Sequence, residues 1–104
     1  MKQREIREGA TYGATFWNQK KRERGEVTRK VLKVGGPLEI RNVLTTLRSA
    51  GLFEGDTPGP RSVAAWWIAY EENRFGRQRY GTCTLATMAT WAERDVSGLD
   101  VGRS

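Results

Sequence analysis

The chain of 104 residues has no histidine, one cysteine and three prolines. Without His, and with a single thiol, it cannot build the usual zinc sites or a Ser-His-Asp or Cys-His nucleophilic centre within itself. One cysteine cannot close an internal disulfide, so cysteine usage carries no sign of an oxidising compartment. Long apolar runs are missing too. The uncharged central stretch, 62–70, is nine residues long, against the ~20 needed to cross a bilayer. Residues 1–8 lack the apolar core of a signal peptide. Neither G-x-x-x-x-G-K-[ST] nor G-x-G-x-x-G occurs, and Gly35-Gly36 is too short to cradle a phosphate. These absences lead to the expectation of a cytoplasmic, non-enzymatic protein with no cofactor, no metal and no membrane partner.

What the chain does have is positive charge, unevenly placed. Lys and Arg number 18 against 12 Asp and Glu, a net +6. Residues 1–36 hold ten bases and four acids and carry that whole excess, whereas 37–104 hold eight of each. Apolar residues at 38% and charged residues at 29% fit an ordinary folded chain. The length predicts one domain, placed at 1–98, with a frayed tail at 99–104.

The pattern of elements follows from periodicity. Residues 10–17, rich in Thr and aromatics, predict a strand. Residues 18–26 contain nothing apolar to bury and predict a solvated loop or hairpin tip. A second strand follows over 27–34 and ends at Gly35-Gly36-Pro37. Ile40, Val43, Leu44 and Leu47 share one helical face, which predicts a helix over 38–50 stopped by Gly51. Leu52 and Phe53 are expected to fold back over that face. Residues 54–60 are a loop by composition. The stretch 62–71 reads as the strongest strand, apolar on both faces, with Trp66 and Trp67 expected in the core. Residues 72–76 read as a turn, 77–83 as the returning strand, and 84–96 as a final helix capped by Thr84. Leu85, Met88, Ala89, Ala92 and Val96 form its apolar stripe, with Trp91 on the border. The order predicts an α+β fold: a small, partly open antiparallel barrel of four or five strands, one inserted helix and one C-terminal helix.

Short segments carry a family resemblance. They are Arg4-Glu5-Ile6-Arg7-Glu8-Gly9-Ala10-Thr11-Tyr12, Arg29-Lys30-Val31-Leu32-Lys33-Val34, Trp66-Trp67-Ile68-Ala69-Tyr70 and Thr87-Met88-Ala89-Thr90-Trp91-Ala92. Together they resemble small SH3-like (KOW-like) β-barrel proteins of actinobacterial bacteriophages, mostly of unassigned function. The resemblance implies an SH3-like barrel, a bacterial host cell and no catalytic motif. The helix at 38–50 and the Gly/Pro loop at 54–60 are insertions relative to that pattern.

The main candidate site is the basic hairpin of Lys20, Lys21, Arg22 and Arg24, with Arg29 and Lys30 across it. Clustered Lys and Arg attract phosphate backbones because binding releases condensed counterions. Arg77 and Arg79 extend the stripe if the two hairpin tips converge. Trp17 and Phe75, at a strand end and a turn, are the aromatics expected at the surface, where rings beside bases serve stacking. DNA or RNA is therefore one expected partner. The competing account of the same residues is a tip kept solvated by its charge. A different class of reading is a protein-interaction module or inhibitor that engages a host or phage protein, or a second copy of the chain, through the inserted helix and the tryptophans. The carboxylate pairs Glu71-Glu72 and Glu93/Asp95 point apart on a strand and a helix, so neither converges as acid–base catalysis requires. Cys83, at a helix start, has no base or second thiol beside it and reads as structural.

Overall fold

Alternation of apolar and polar residues builds one antiparallel sheet in the computed structural model, which describes residues 1–52 and 65–97. Its strands are β1 (Thr11–Asn18), β2 (Glu23–Gly35), β3 (Trp67–Arg74), β4 (Arg77–Thr84) and β5 (Arg94–Asp95). They lie in the order β4-β3-β2-β1-β5. Among the described residues two α-helices, α1 (Pro37–Ser49) and α2 (Leu85–Trp91), complete the α+β domain. The sheet is open: β4 and β5 stand at its two ends and do not pair with each other. Of the partly open barrel expected from the sequence, the described residues thus show an open five-stranded antiparallel sheet.

One sheet face carries the main core. Tyr12, Val31, Ile68 and Tyr70 meet Met88, Ala89 and Ala92 there, with Ile6 and Ala10 from the N-terminal segment. Ala69 alternates to the other face, and α1 lies against β2 and β3 with Ile40 and Leu44 buried outside that cluster. Strand β2 bends between the two regions. Its pairing passes from Val31↔Tyr70 to Lys33↔Ala69, so Leu32 is an extra, bulged residue.

Tyr12 ties the N-terminal segment to the sheet. Its ring is fully buried, its hydroxyl donates to the Glu5 carbonyl at 2.6 Å and accepts from the Arg7 N–H at 2.9 Å. Tyr12→Phe removes both bonds and leaves two backbone groups short of a partner. It is expected to cost about 1–3 kcal/mol, read as a lower urea midpoint with an unchanged slope.

The helix at 38–50 forms as its stripe predicts, with Pro37 opening it and Ile40 and Leu44 on the buried side. Several boundaries differ. The basic loop shrinks to residues 19–22, because Glu23 to Glu26 pair along β1. The turn expected over 72–76 shrinks to Phe75-Gly76, because Glu72, Asn73 and Arg74 continue β3. The final helix stops at Trp91. Beyond it the chain runs extended along β1, with Glu93 N–H on the Gly13 carbonyl at 3.0 Å and Val96 N–H on the Thr11 carbonyl at 2.9 Å. Ladder bonds to an otherwise unpaired β1 edge outweigh helix continuation there. Ala92 and Val96 are buried all the same. Trp66, expected in strand and core, precedes β3 and is 61% exposed; Leu52, expected to cover α1, is also exposed. Phe53, the 54–60 loop, Val63, Ala64 and the tail lie outside the described residues. Among the described residues no helix is long and apolar enough to cross a membrane.

Candidate nucleic-acid interface

The β1–β2 and β3–β4 turns come together at one end of the sheet. Antiparallel registry places them there, because β2 begins against the end of β1, Glu23 opposite Asn18, and meets the end of β3 four residues later, Val27 opposite Arg74. Between the turns lies a concavity of about 410 Å³, lined by Trp17, Asn18, Gln19, Lys20, Arg74, Phe75 and Arg77. The two tips thus converge, and Trp17 and Phe75 are both exposed there, as the sequence predicts.

Each turn is built locally. In the first, Asn18 Oδ1 accepts the backbone N–H of Lys20 at 3.1 Å and of Lys21 at 3.4 Å, an Asx arrangement. The chain then passes through Arg22 at φ 50°. In the second, Phe75 and Gly76 both have positive φ, 52° and 88°, as a two-residue turn that matches strand twist requires. Asn73 Oδ1 accepts the Gly76 N–H at 3.1 Å. Gly is at home in this conformation, whereas Phe is strained in it. The Phe75 ring lies on the β2 backbone at Gly25, where a Cβ would come within 2.6 Å of the ring. Arg22 is strained in the same way, and it is exposed. Arg22→Gly is therefore expected to raise stability by about 1 kcal/mol in a denaturant titration, while removing one cation from the tip.

Beside the concavity sits a buried ion cluster. Glu72 is fully buried. Its Oε1 accepts from Arg29 Nε at 2.8 Å and its Oε2 from Arg79 Nε at 3.0 Å, with Arg74 Nε 3.5 Å away. Burial pushes the Glu72 carboxyl up, but the hydrogen bond and charge of Arg29, with the charges of Arg79 and Arg74, outweigh it and hold the group below its ordinary value. Aromatic rings line the arginines. The Arg29 guanidinium stands 4.3 Å from the centres of both the Tyr70 and Trp91 rings, and that of Arg74 stands 4.8 Å from Phe16. Phe16 in turn stacks on Trp91 at 6.2 Å. Three guanidiniums around one carboxylate leave the cluster net positive.

The candidate residues therefore separate. Lys20, Lys21 and Arg22 stand exposed on the first turn, Arg24 lies across from Trp17, and Arg77 follows the second turn. Among the described residues none of these five makes an ion pair. Arg79 is exposed but held by Glu72. Arg29 is not part of the tip: its side chain is 11% exposed and its charge is spent on Glu72. Lys30 alternates to the face opposite Arg29 and pairs in register with Thr11 and Glu71, well back from the turns. Elsewhere several bases are matched with acids: Arg7 with Asp95, Lys33 with Glu8 and Glu39, and Arg94 with Glu26 and Glu93.

Arg74, Asn18, Gln19 and Glu72 were not among the sequence candidates. The usable signal was the i, i+2 series Ile68, Tyr70, Glu72, Arg74, which continues the strand alternation through polar residues. At Cys83 burial pushes the thiol up to about 11, with Arg29 opposing, so it stays protonated, in keeping with a structural role.

No family model, curated protein or solved structure matches this chain. The functional reading therefore rests on the geometry of the turns.

Proposed function

We propose that the chain is a small non-catalytic protein that binds nucleic acid through the joined hairpin turns, in a regulatory or accessory role in a phage-infected bacterial cell. The observation that carries this reading is the set Lys20, Lys21, Arg22, Arg24 and Arg77. These residues lie at or beside the two turns without acid partners among the described residues, next to exposed Trp17 and Phe75. Unpaired cations are the ones that can neutralise phosphates and release the counterions condensed on them, since an arginine already held by a carboxylate must first give up that pairing. Fluorescence polarisation with labelled DNA and RNA across a salt series tests the reading. Affinity that falls steeply with salt is the expected result; no binding, or binding indifferent to salt, overturns it. We extend the reading to the fold: the β1–β4 meander and the bend at Leu32 support a variant of the SH3-like phage proteins with its barrel left open.

A second reading, an interaction module for a host or phage protein or for a second copy of the chain, is favoured by exposed Leu38, Leu52 and Trp66. Sedimentation of the pure protein and a pull-down with and without nuclease separate the two. A complex that survives nuclease supports the second reading, and one that vanishes supports the first.

A further inference from the structure

We infer that the concavity between the two turns receives an unpaired base of a single-stranded nucleic acid. The base stacks on Trp17 and Phe75, and its flanking phosphates lie on Lys20 and Arg77. This rests on the nucleic-acid reading above and narrows it to a strand form and a binding mode.

Four observations converge. The concavity, at about 410 Å³, falls within the roughly 300–1,000 Å³ range of small-ligand sites. Its lining includes Lys20 and Arg77, which make no ion pair among the described residues, and no acid, so its charge complements a phosphodiester. Two of its walls are aromatic, and both remain exposed, Trp17 at 54% and Phe75 at 37%. Phe75 also occupies a left-handed turn position that Asn or Gly fills without strain. Backbone strain at an exposed aromatic points to use of the ring, since local folding favours another residue there.

The strand form follows from which surfaces each nucleic acid offers. In a duplex the ring faces are hidden in the stack, leaving base-pair edges and phosphates. A single strand presents its π-faces, and stacking on an aromatic is tolerant of sequence. Trp17 and Phe75 can use only the second kind of surface. Asn18 Oδ1 is already engaged with the turn backbone, which withdraws one lining acceptor from reading base identity.

The test uses the whole chain and fluorescence polarisation, with labelled oligothymidine and a duplex of equal length as probes. Trp17→Ala and Phe75→Asn are compared with the parent protein; Asn keeps the left-handed turn. Each is expected to weaken oligothymidine binding roughly 5- to 150-fold, the loss of one base–aromatic stack, while duplex affinity changes less than about twofold. Trp17→Phe keeps a ring face and restores most of the binding, which separates stacking from misfolding. If both variants bind oligothymidine like the parent while charge reversal at the tip abolishes binding, the stacking inference is overturned and the nucleic-acid reading stands. Equal losses on single strand and duplex also overturn it. If the parent binds neither probe, both readings fall. Displacement of oligothymidine by a poly-glutamate peptide at equal affinity assigns the concavity to an acidic polypeptide and overturns the inference as well.

Discussion

Glu72→Gln is expected to destabilise the domain by about 3–5 kcal/mol, the range for removing one member of a buried ion pair. The carboxylate is fully buried, and Arg29, itself 11% exposed at the side chain, faces it at 2.8 Å. An amide of the same shape can accept from one guanidinium but cannot offset the charge of three. Arg29 then stays between Tyr70 and Trp91 as a buried, uncompensated cation, and its cation–π contacts, each about 0.5–2 kcal/mol, cover only part of the loss. In a domain whose total stability is on the order of 5–15 kcal/mol, the variant is expected to be partly unfolded at modest urea.

The same cluster sets the acid limit. Because the folded-state pKa of Glu72 lies below its ordinary value of 4.5, its contribution is fully present above 4.5 and is lost as pH falls through the lower folded value. Glu8, lowered chiefly by the Val34 N–H, and Asp95, lowered chiefly by hydrogen bonds from Ser97, act in the same direction from more exposed positions. Urea titrations from neutral to acid pH should therefore show a plateau and then a decline below 4.5. In Glu72→Gln the decline should be shallower. An equal slope in both proteins would remove Glu72 from the account.

Reversing Lys20, Lys21, Arg22 and Arg77 to Glu is expected to abolish nucleic-acid binding while leaving the fold intact. The four side chains are exposed and make no ion pair among the described residues. Substitutions at such surface sites each stay within about ±0.5 kcal/mol. If each of the four bases neutralises one phosphate, the logarithm of affinity for a single strand falls with that of salt at a slope of about −0.7 × 4, or −2.8. A rise from about 50 to 200 mM salt then weakens the parent protein roughly fiftyfold. The reversed variant should lose both the affinity and the slope. Polarisation titrations at several salt concentrations, paired with a thermal melt, check both halves. A variant that binds like the parent would dismiss the tip as the interface.

Some of this was readable from residue order. The stripe Ile40, Val43, Leu44, Leu47 between Pro37 and Gly51 predicts α1 because helix periodicity and its punctuation are local. The first hairpin is local too: Thr and aromatics, then charges, then Val-rich residues. Segmental charge counting, by contrast, pointed only at residues 1–36. It treated 37–104 as neutral, although Arg74 and Arg77 come from that balanced part and line the concavity. Counting cannot register that Glu72 lies beneath arginines, two of them far or moderately distant in sequence, while Lys20 has no acid partner.

The residues most misread were those whose roles depend on partners across the sheet. Glu72-Asn73-Arg74 reads as a turn because three polar residues in a row look solvated. Arg29 reads as part of a basic tip. Yet Arg29 and Glu72, 43 positions apart, become neighbours only when β2 and β3 pair. Likewise Ala92 and Val96 keep helical spacing in sequence, and only the open edge of β1 draws the chain after Ala92 into extended pairing. The sequence alone determined the helix α1, the strand-rich class, the exclusion of His- and disulfide-based chemistry and the two exposed aromatics Trp17 and Phe75, since each follows from local periodicity or composition. Tertiary structure alone decided which charges are free. Electrostatics depends on distance in space, and strand register sets those distances between residues that the chain keeps far apart.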